Sequence, residues 1–353
     1  MFKIIHVLLL CVFCAACSAP QKKSTDRFFW PPPPDVARIE WLKSYSSQLD
    51  IEKNPYQLFW DSIAGQDAPK SLLKPVEVKS LPEMNKFLVS DMTRGEIVVF
   101  DLATHEMRTL EIPGGAPTLY LPLSIAVDIN GFIYVLERRS ASVLVFNALE
   151  KYQRTISLKS VEVSSPTSMI IDKKNSLMYV SDAATRKVVI TDLQGTFVKS
   201  IGGLGEGDGQ FNLPVAMSLD SRGNLIVADA FAANIQLFDA NGNFVRKFGE
   251  RGDSAGSFQL IKSIAVDSSD NIYVVDGRAH NITIFNQQGE LLLVLGAFYA
   301  VSENGKRAPG GFSLPIGIDI DSTDKIYVVD QLNTRVQVFQ YFSDEYLKRQ
   351  GGN

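Results

Sequence analysis

The stretch Ile264-Ala-Val-Asp-Ser-Ser-Asp-Asn-Ile-Tyr-Val-Val-Asp276 contains an apolar strand, a polar turn and a second strand ending on a carboxylate. The pattern returns as Ile125-Ala-Val-Asp-Ile-Asn-Gly-Phe-Ile-Tyr-Val-Leu-Glu137, Met217-Ser-Leu-Asp-Ser-Arg-Gly-Asn-Leu-Ile-Val-Ala-Asp229 and Ile318-Asp-Ile-Asp-Ser-Thr-Asp-Lys-Ile-Tyr-Val-Val-Asp330. The closing carboxylates Asp91, Glu137, Asp182, Asp229, Asp276 and Asp330 lie 46, 45, 47, 47 and 54 residues apart. A period in the forties, made only of strands and turns, predicts an all-β chain folded as a β-propeller with four-stranded blades. Six anchors predict six blades. β-Branched and aromatic residues fill the strands, and the Asp-x-x-Gly-Asn turns supply the positive φ that tight hairpins need. Between blades recur Gly205-Glu-Gly-Asp-Gly-Gln-Phe211, Gly252-Asp-Ser-Ala-Gly-Ser-Phe258 and Gly310-Gly-Phe312. The glycines turn the chain toward the next inner strand, and each phenylalanine is expected to plug the gap between two blades.

The N-terminus reads differently. Lys3, an apolar stretch and Cys14-Ala15-Ala16-Cys17 form a secretory signal. The 13 residues from Ile4 to Ala16 are too few to span a bilayer as a helix. Two small residues before Cys17 resemble the bacterial lipobox, with Cys14 where leucine is usual. That resemblance implies cleavage after residue 16, acylation of Cys17 and anchoring to a membrane. Ser18 after the cysteine implies the outer membrane of a Gram-negative envelope, with the domain facing the periplasm or the exterior. Cys14 and Cys17 also make a C-x-x-C, but Ser18 stands where haem attachment needs His. The mature chain, without Lys3, has 34 basic and 39 acidic residues, a net charge of −5. Its only cysteine would be acylated, so stability must come from core burial. Ser18 to Arg27 is a polar tether. Phe28-Phe29-Trp30 and four prolines follow, a stiff polyproline II segment by composition. Two readings stay open for it: a ligand for a partner's aromatic groove, or, preferred, a strap packed on the domain.

Asp330-Gln-Leu-Asn-Thr-Arg335-Val-Gln-Val-Phe339 closely matches, and Asp229 to Phe238 loosely matches, the end of the repeat Pro-x-Gly-hydrophobic-Ala…Tyr-Val-x-Asp…Asn-x-Arg-Val-x-Val-Phe. Residues 75–341 therefore resemble NHL repeats, and the whole chain resembles bacterial six-bladed NHL-repeat lipoproteins. The first blade, Val76 to Asp101, matches least. A ring of sheets must close or leave an exposed edge. The alternating Arg38 to Tyr45 is expected to complete the last blade, with Ile39 and Leu42 against Val336 and Val338. Asn54-Pro55 through Gly65 reads as a short helix. The organisation expected is a signal peptide at 1–16, a tether at 17–36, the propeller at 37–346 and a tail at 347–353.

Composition removes several functions. The chain of 353 residues has 35 basic and 39 acidic residues, against a general nucleic-acid binder. Outside the signal the histidines are His105 and His280, too few for the usual catalytic zinc site. Inner strands begin near Ser124, Ser168, Ala216, Ser263 and Gly317, small residues rather than calcium ligands. No metal, cofactor or catalytic residue is expected. The anchor carboxylates, and Asp128, Asp172, Asp220, Asp267 and Asp321 at the opposite turns, are read as caps on their own turns. Gly202 to Gly209 lacks the register of a phosphate loop, and Arg251-Gly252-Asp253 lies in a repeat loop.

The loops between second and third strands should share one face. They carry Arg94, Arg138, Arg139, Arg186, Phe231, Arg278, His280 and Leu332. Blade connections on that face add Tyr120 and the insertion Phe298-Tyr299…Lys306-Arg307. Arginines and aromatics dominate binding energy at protein interfaces, and clustered charge steers an opposite partner. The alternative is that each arginine pairs with its own anchor carboxylate. The sequence thus reads as a non-catalytic, monomeric, membrane-anchored scaffold binding an anionic protein or peptide. Family resemblance adds assembly of exported proteins as a role. The rival is a lactonase-like hydrolase or a lyase acting at the channel mouth.

Overall fold

The structure, a computed structural model, describes residues 27–64, 68–299 and 308–351. Six antiparallel sheets follow one another around a common axis. Blade five is typical, with strands Ile261–Val266, Ile272–Asp276, Asn281–Phe285 and Leu291–Leu295 paired in chain order from the axis outward. The inner strands of neighbouring blades touch around the ring. The blade count is as expected from the anchors.

The core is not central. Buried apolar side chains form six clusters, each a wedge shared by two adjacent blades. The phenylalanines of the connecting loops complete three wedges: Phe211, Phe258 and Phe312 are fully buried. Gly249 shows why glycine precedes that loop. Its φ is +90°, and a Cβ would lie 2.4 Å from the Phe258 ring.

Closure involves more chain than expected. Strand β2 (Ile39–Tyr45) pairs antiparallel with Arg335–Tyr341 of blade six. A bulge between Trp41 and Lys43 shifts the register, so Lys43 and Tyr45, not Ile39 and Leu42, oppose Val338 and Val336. Ile39 is buried, whereas Leu42 points to solvent at the bulge. Strand β1 (Phe29–Trp30) adds a fifth strand outside β2. The proline run is therefore the bent loop of a hairpin, not a stiff stalk. The Arg38 N–H returns to the Trp30 carbonyl at 2.8 Å, and Trp30 packs edge-on against Phe339. The strap reading holds for this segment.

Helix α1 (Pro55–Ala64) forms as expected. Asn54 caps it reciprocally with Gln57, at 2.8 and 3.0 Å; the expected terminator Gly65 lies outside the described residues. Helix α2 (Asp344–Gly351) was not expected. It starts three residues before the segment read as a tail and is capped by the Ser343 hydroxyl. Among the described residues no helix is long and apolar enough to cross a membrane. The signal segment and Cys17 lie outside the described residues.

Candidate functional site: the loop face and the central channel

Each anchor carboxylate sits where a second strand ends, and those of blades one to five are filled mainly by backbone N–H groups, whereas Asp330 takes one, from Ser313, and otherwise accepts from the Asn333, Arg335 and Gln337 side chains. Asp229 accepts from Phe231 and Ala232 in its own turn, and from Asn212 and Leu213 leading into the inner strand. Asp276 repeats this with Arg278, Ala279, Gln259 and Leu260. The carboxylate thus staples two loops, more than the single-turn cap expected. Glu137 reaches the same positions with its longer side chain. Burial opposes its ionisation, but bonds from Ser140 and the backbone N–H groups outweigh it and lower its pKa. At the opposite turns Asp128 takes the N–H groups of Asn130 and Phe132. The buried Tyr134, Tyr273 and Tyr327 hydroxyls donate to Asp128, Asp267 and Asp321. The tyrosine recurring in the second strand thus locks the turn before it.

Most loop-face arginines are therefore not needed by the anchors. Arg94 reaches Glu96 at 3.3 Å and the Ser71 carbonyl. Arg138 makes one long contact, 3.4 Å, to the Ser165 hydroxyl. Arg139 lies over the Tyr120 ring, 4.7 Å from its centre. Arg186, at φ 58°, folds onto the Ala183 carbonyl of its own turn. The Arg278 guanidinium has no partner among the described residues; only its backbone N–H is engaged, by Asp276. Phe231 and Leu332 are 62% and 65% exposed. His280 is engaged in the fold, because its Nδ1 accepts the Leu314 N–H at 3.0 Å and its ring packs on Phe298. Lys306 and Arg307 lie outside the described residues. One arginine does pair with its anchor. Arg335 Nε donates to Asp330 at 2.8 Å, with both side chains at most 2% exposed.

The channel corrects the sequence reading. Ser124, Ser168, Ala216, Ser263 and Gly317 do line or flank it, but a cavity of about 270 Å³ there also exposes Glu77, Lys79 and Asp319. Lys79 Nζ meets Asp319 at 2.5 Å, and Asp319 also accepts the Ser80 N–H at 2.8 Å. Glu77 accepts only the Val78 N–H, at 3.2 Å, among the described residues. The residue is half-buried and lines the cavity. Burial, then the negative charge of Asp319, pushes its pKa up to about 8, against the smaller pull of the Val78 N–H and Lys79. The first blade hid this because its match to the repeat is weak. The signal was present: Glu77 follows Pro75 by two positions, as Ser124 follows Pro122 and Gly317 follows Pro315. Among the described residues no cluster of three His, Cys, Asp or Glu could hold a metal ion.

Residues 215–292 match a family described as DUF5128, 6-bladed beta-propeller. The fold is similar to that of a protein of unknown function from Bacteroides thetaiotaomicron, with a TM-score of 0.62 at 13% identity, covering 86% of this chain and 75% of that one. A gluconolactonase from Xanthomonas campestris aligns with a TM-score of 0.58 at 11% identity, over 76% of this chain and 86% of the other. Virginiamycin B lyase from Staphylococcus aureus gives 0.53 at 11% identity, over 79% and 86%. At such identities the likeness carries the fold and not the chemistry. The chain is a six-bladed β-propeller with four strands in each blade's regular sheet.

Proposed function

We propose that this protein is a non-catalytic binding scaffold, anchored to the envelope through an acylated Cys17, that holds an anionic protein or peptide on its loop face. One observation carries the reading. The anchor carboxylates of blades two and five are filled by backbone N–H groups, so the guanidiniums of Arg138, Arg139 and Arg278 stand clear of them. The corresponding loops of blades four and six carry the exposed Phe231 and Leu332. Arginine beside aromatic and apolar contacts is the composition of an interface centre. The NHL-like motif and lipobox support the same assignment, and an assembly role for exported proteins follows from that resemblance alone.

The test is charge reversal. Arg138, Arg139 and Arg278 are changed together to Glu in the lipidated protein, and crosslinking is done in the native envelope. The reading requires a partner captured by wild type, weakened by salt and lost in the variant. Unfolding free energy should change by less than about 0.5 kcal/mol per site, as for surface charges away from structural features. A large loss of stability with undiminished capture overturns it. The rival, a hydrolase or lyase working in the channel, has Glu77, Lys79 and Asp319 in its favour. Turnover of a lactone or ester by wild type but not by Glu77→Gln would decide for it.

A further inference from the structure

Helix α1 meets the propeller through its polar side. Gln57 and Asp61, one turn apart, are the half-buried side chains among those described in the helix. The Gln57 amide donates to the Thr104 and His105 carbonyls of blade one, at 3.2 and 3.3 Å, and Asp61 pairs with Lys53. The opposite side is apolar. Tyr56, Phe59 and Ile63, at i, i+3 and i+7, share one stripe and are 70%, 57% and 62% exposed. A helix on a globular domain ordinarily turns such a stripe to the core; this one turns it outward. The stripe carries no charge, and Asp61, the one charged residue of the helix, is already paired.

The same edge of the ring holds the start of the described chain. Arg27 pairs with Glu40 of β2 at 2.6 Å, and Lys43, three residues along β2, reaches Glu52, just before α1, at 3.9 Å. Leu42, exposed at the bulge, lies between those two β2 residues. Cys17 precedes Arg27 by ten residues, so a fully extended tether spans at most about 35 Å. We propose that this edge, centred on the stripe of Tyr56, Phe59 and Ile63, lies against the lipid bilayer. The inference rests on the acylated Cys17 of the proposed function, which brings a bilayer within the tether's reach of this edge.

The helix suits an interface. Its ten residues are about 15 Å long, half the thickness of the hydrocarbon core, so it lies in the membrane plane and does not cross. Its apolar stripe can sink to the headgroup boundary without burying a charge, while Gln57 and Asp61 hold the other side to the protein. Tyrosine rings are enriched at that depth. Thr104 and His105 belong to the turn between the third and fourth strands of blade one, on the face opposite the loop arginines. A bilayer at α1 therefore leaves the loop face uncovered for its partner.

The probe is a fluorophore on Ile63→Cys, since an acylated mature chain has no other free thiol. The purified protein is reconstituted into vesicles of phosphatidylethanolamine and phosphatidylglycerol that carry a spin-labelled quencher lipid. Val245→Cys, exposed on the outer strand of blade four across the ring, is the reference. Quenching should be about threefold stronger or more at position 63 than at position 245. Equal quenching at the two positions in acylated, vesicle-bound protein overturns the proposal and leaves the anchor standing. Shielding of position 63 in the native envelope but not in pure-lipid vesicles assigns the edge to a protein and overturns it too. The mass of residue 17 reports acylation separately. If no acyl group is found, the anchored reading fails; the labelled chain with Cys17→Ser is then mixed with the same vesicles, and absence of quenching at position 63 overturns the inference as well. Should Ile63→Cys fail to fold, Tyr56→Cys carries the probe on the same stripe.

Discussion

Two kinds of junction in this ring make a contrast. Between blades four and five, the turn serine Ser221 donates its N–H and hydroxyl to the two carboxylate oxygens of Asp270, both at 2.8 Å. Between blades five and six, Ser268 does the same to Asp324, at 3.0 and 2.8 Å. Asp270 and Asp324 occupy the turn position that holds glycine in blades two and four, and both keep its positive φ, 63° and 60°. The junction of blade six with blade one is made differently. The first blade has Leu81 and a short 3-10 turn, Pro82–Met84, instead of the Asp-led turn, so the clasp has no acceptor. Asp319 takes over from inside the channel, gripping Lys79 and Ser80. Outside, β2 closes blade six, and Gly317 lets the inner strands meet, since a Cβ there would lie 2.6 Å from the Val76 carbonyl. The junctions from blade four to blade six repeat one local device; the closing junction combines residues from both ends of the chain.

The comparison can be broken at the closing junction first. Deleting residues 36–46 removes β2 and bares the strand Arg335–Tyr341. We expect insoluble protein, measured by sedimentation, because an open apolar edge pairs with other chains. Soluble protein with an unchanged melting temperature would show that closure needs no β2.

The next effect is Arg335→Ala, which leaves Asp330 charged and buried. The expected loss is about 3–5 kcal/mol in urea unfolding. Asn281, paired across the strands with Asp276 in blade five, provides the contrast. Its side-chain oxygen is buried without a partner among the described residues, so Asn281→Ala should cost far less. Equal losses would mean that the last blade is no more dependent on its pair than an interior one.

Asp319→Asn tests the channel latch and should cost about 1.5–3 kcal/mol, the range for hydrogen bonds to charged groups. Ser268→Ala should cost about 1 kcal/mol, and Ser221→Ala less, because Asp324 is buried and Asp270 is not. An interior clasp costing more than the latch would reverse the ranking.

A pH scan sharpens the same contrast with the smallest signal. Between about 4.5 and 8 the folded Glu77 carboxyl holds a proton that the unfolded chain has released. The native state then binds more protons, so this group's contribution to stability falls as pH rises through that window and levels off above it. Thermal unfolding from pH 5 to 8 should show a steeper decline in wild type than in Glu77→Gln. Parallel curves would place the carboxyl in ordinary solvent.

Blade number, strand order and the wedge phenylalanines were legible because each follows from local chemistry repeated at a fixed spacing. The closing hairpin was half legible. The alternation of Arg38 to Tyr45 announces a strand, but the bulge at Leu42 is set by fit against blade six and inverted the expected register. The loop-face residues could be placed by topology alone. Whether an arginine there is engaged could not, since Arg186 folds onto its own turn while Arg278 does not. His280 shows the same limit most clearly. Its use as an acceptor for Leu314 depends on a loop from the next blade.

The repeat by itself determined the architecture, because a strand that cannot bury its faces alone must stack on a neighbour, and equal units stacked around an axis make a ring. It also determined the turn carboxylates, whose partners lie a few residues away in the chain or one strand distant. Only the tertiary structure decided what the two ends of the repeat do to each other. Glu77 and Asp319 are 242 residues apart in sequence, and their charges interact only when the ring closes. A carboxyl's ionisation depends on the dielectric and charge around it, and those are properties of the closed channel, not of the strand that carries the residue.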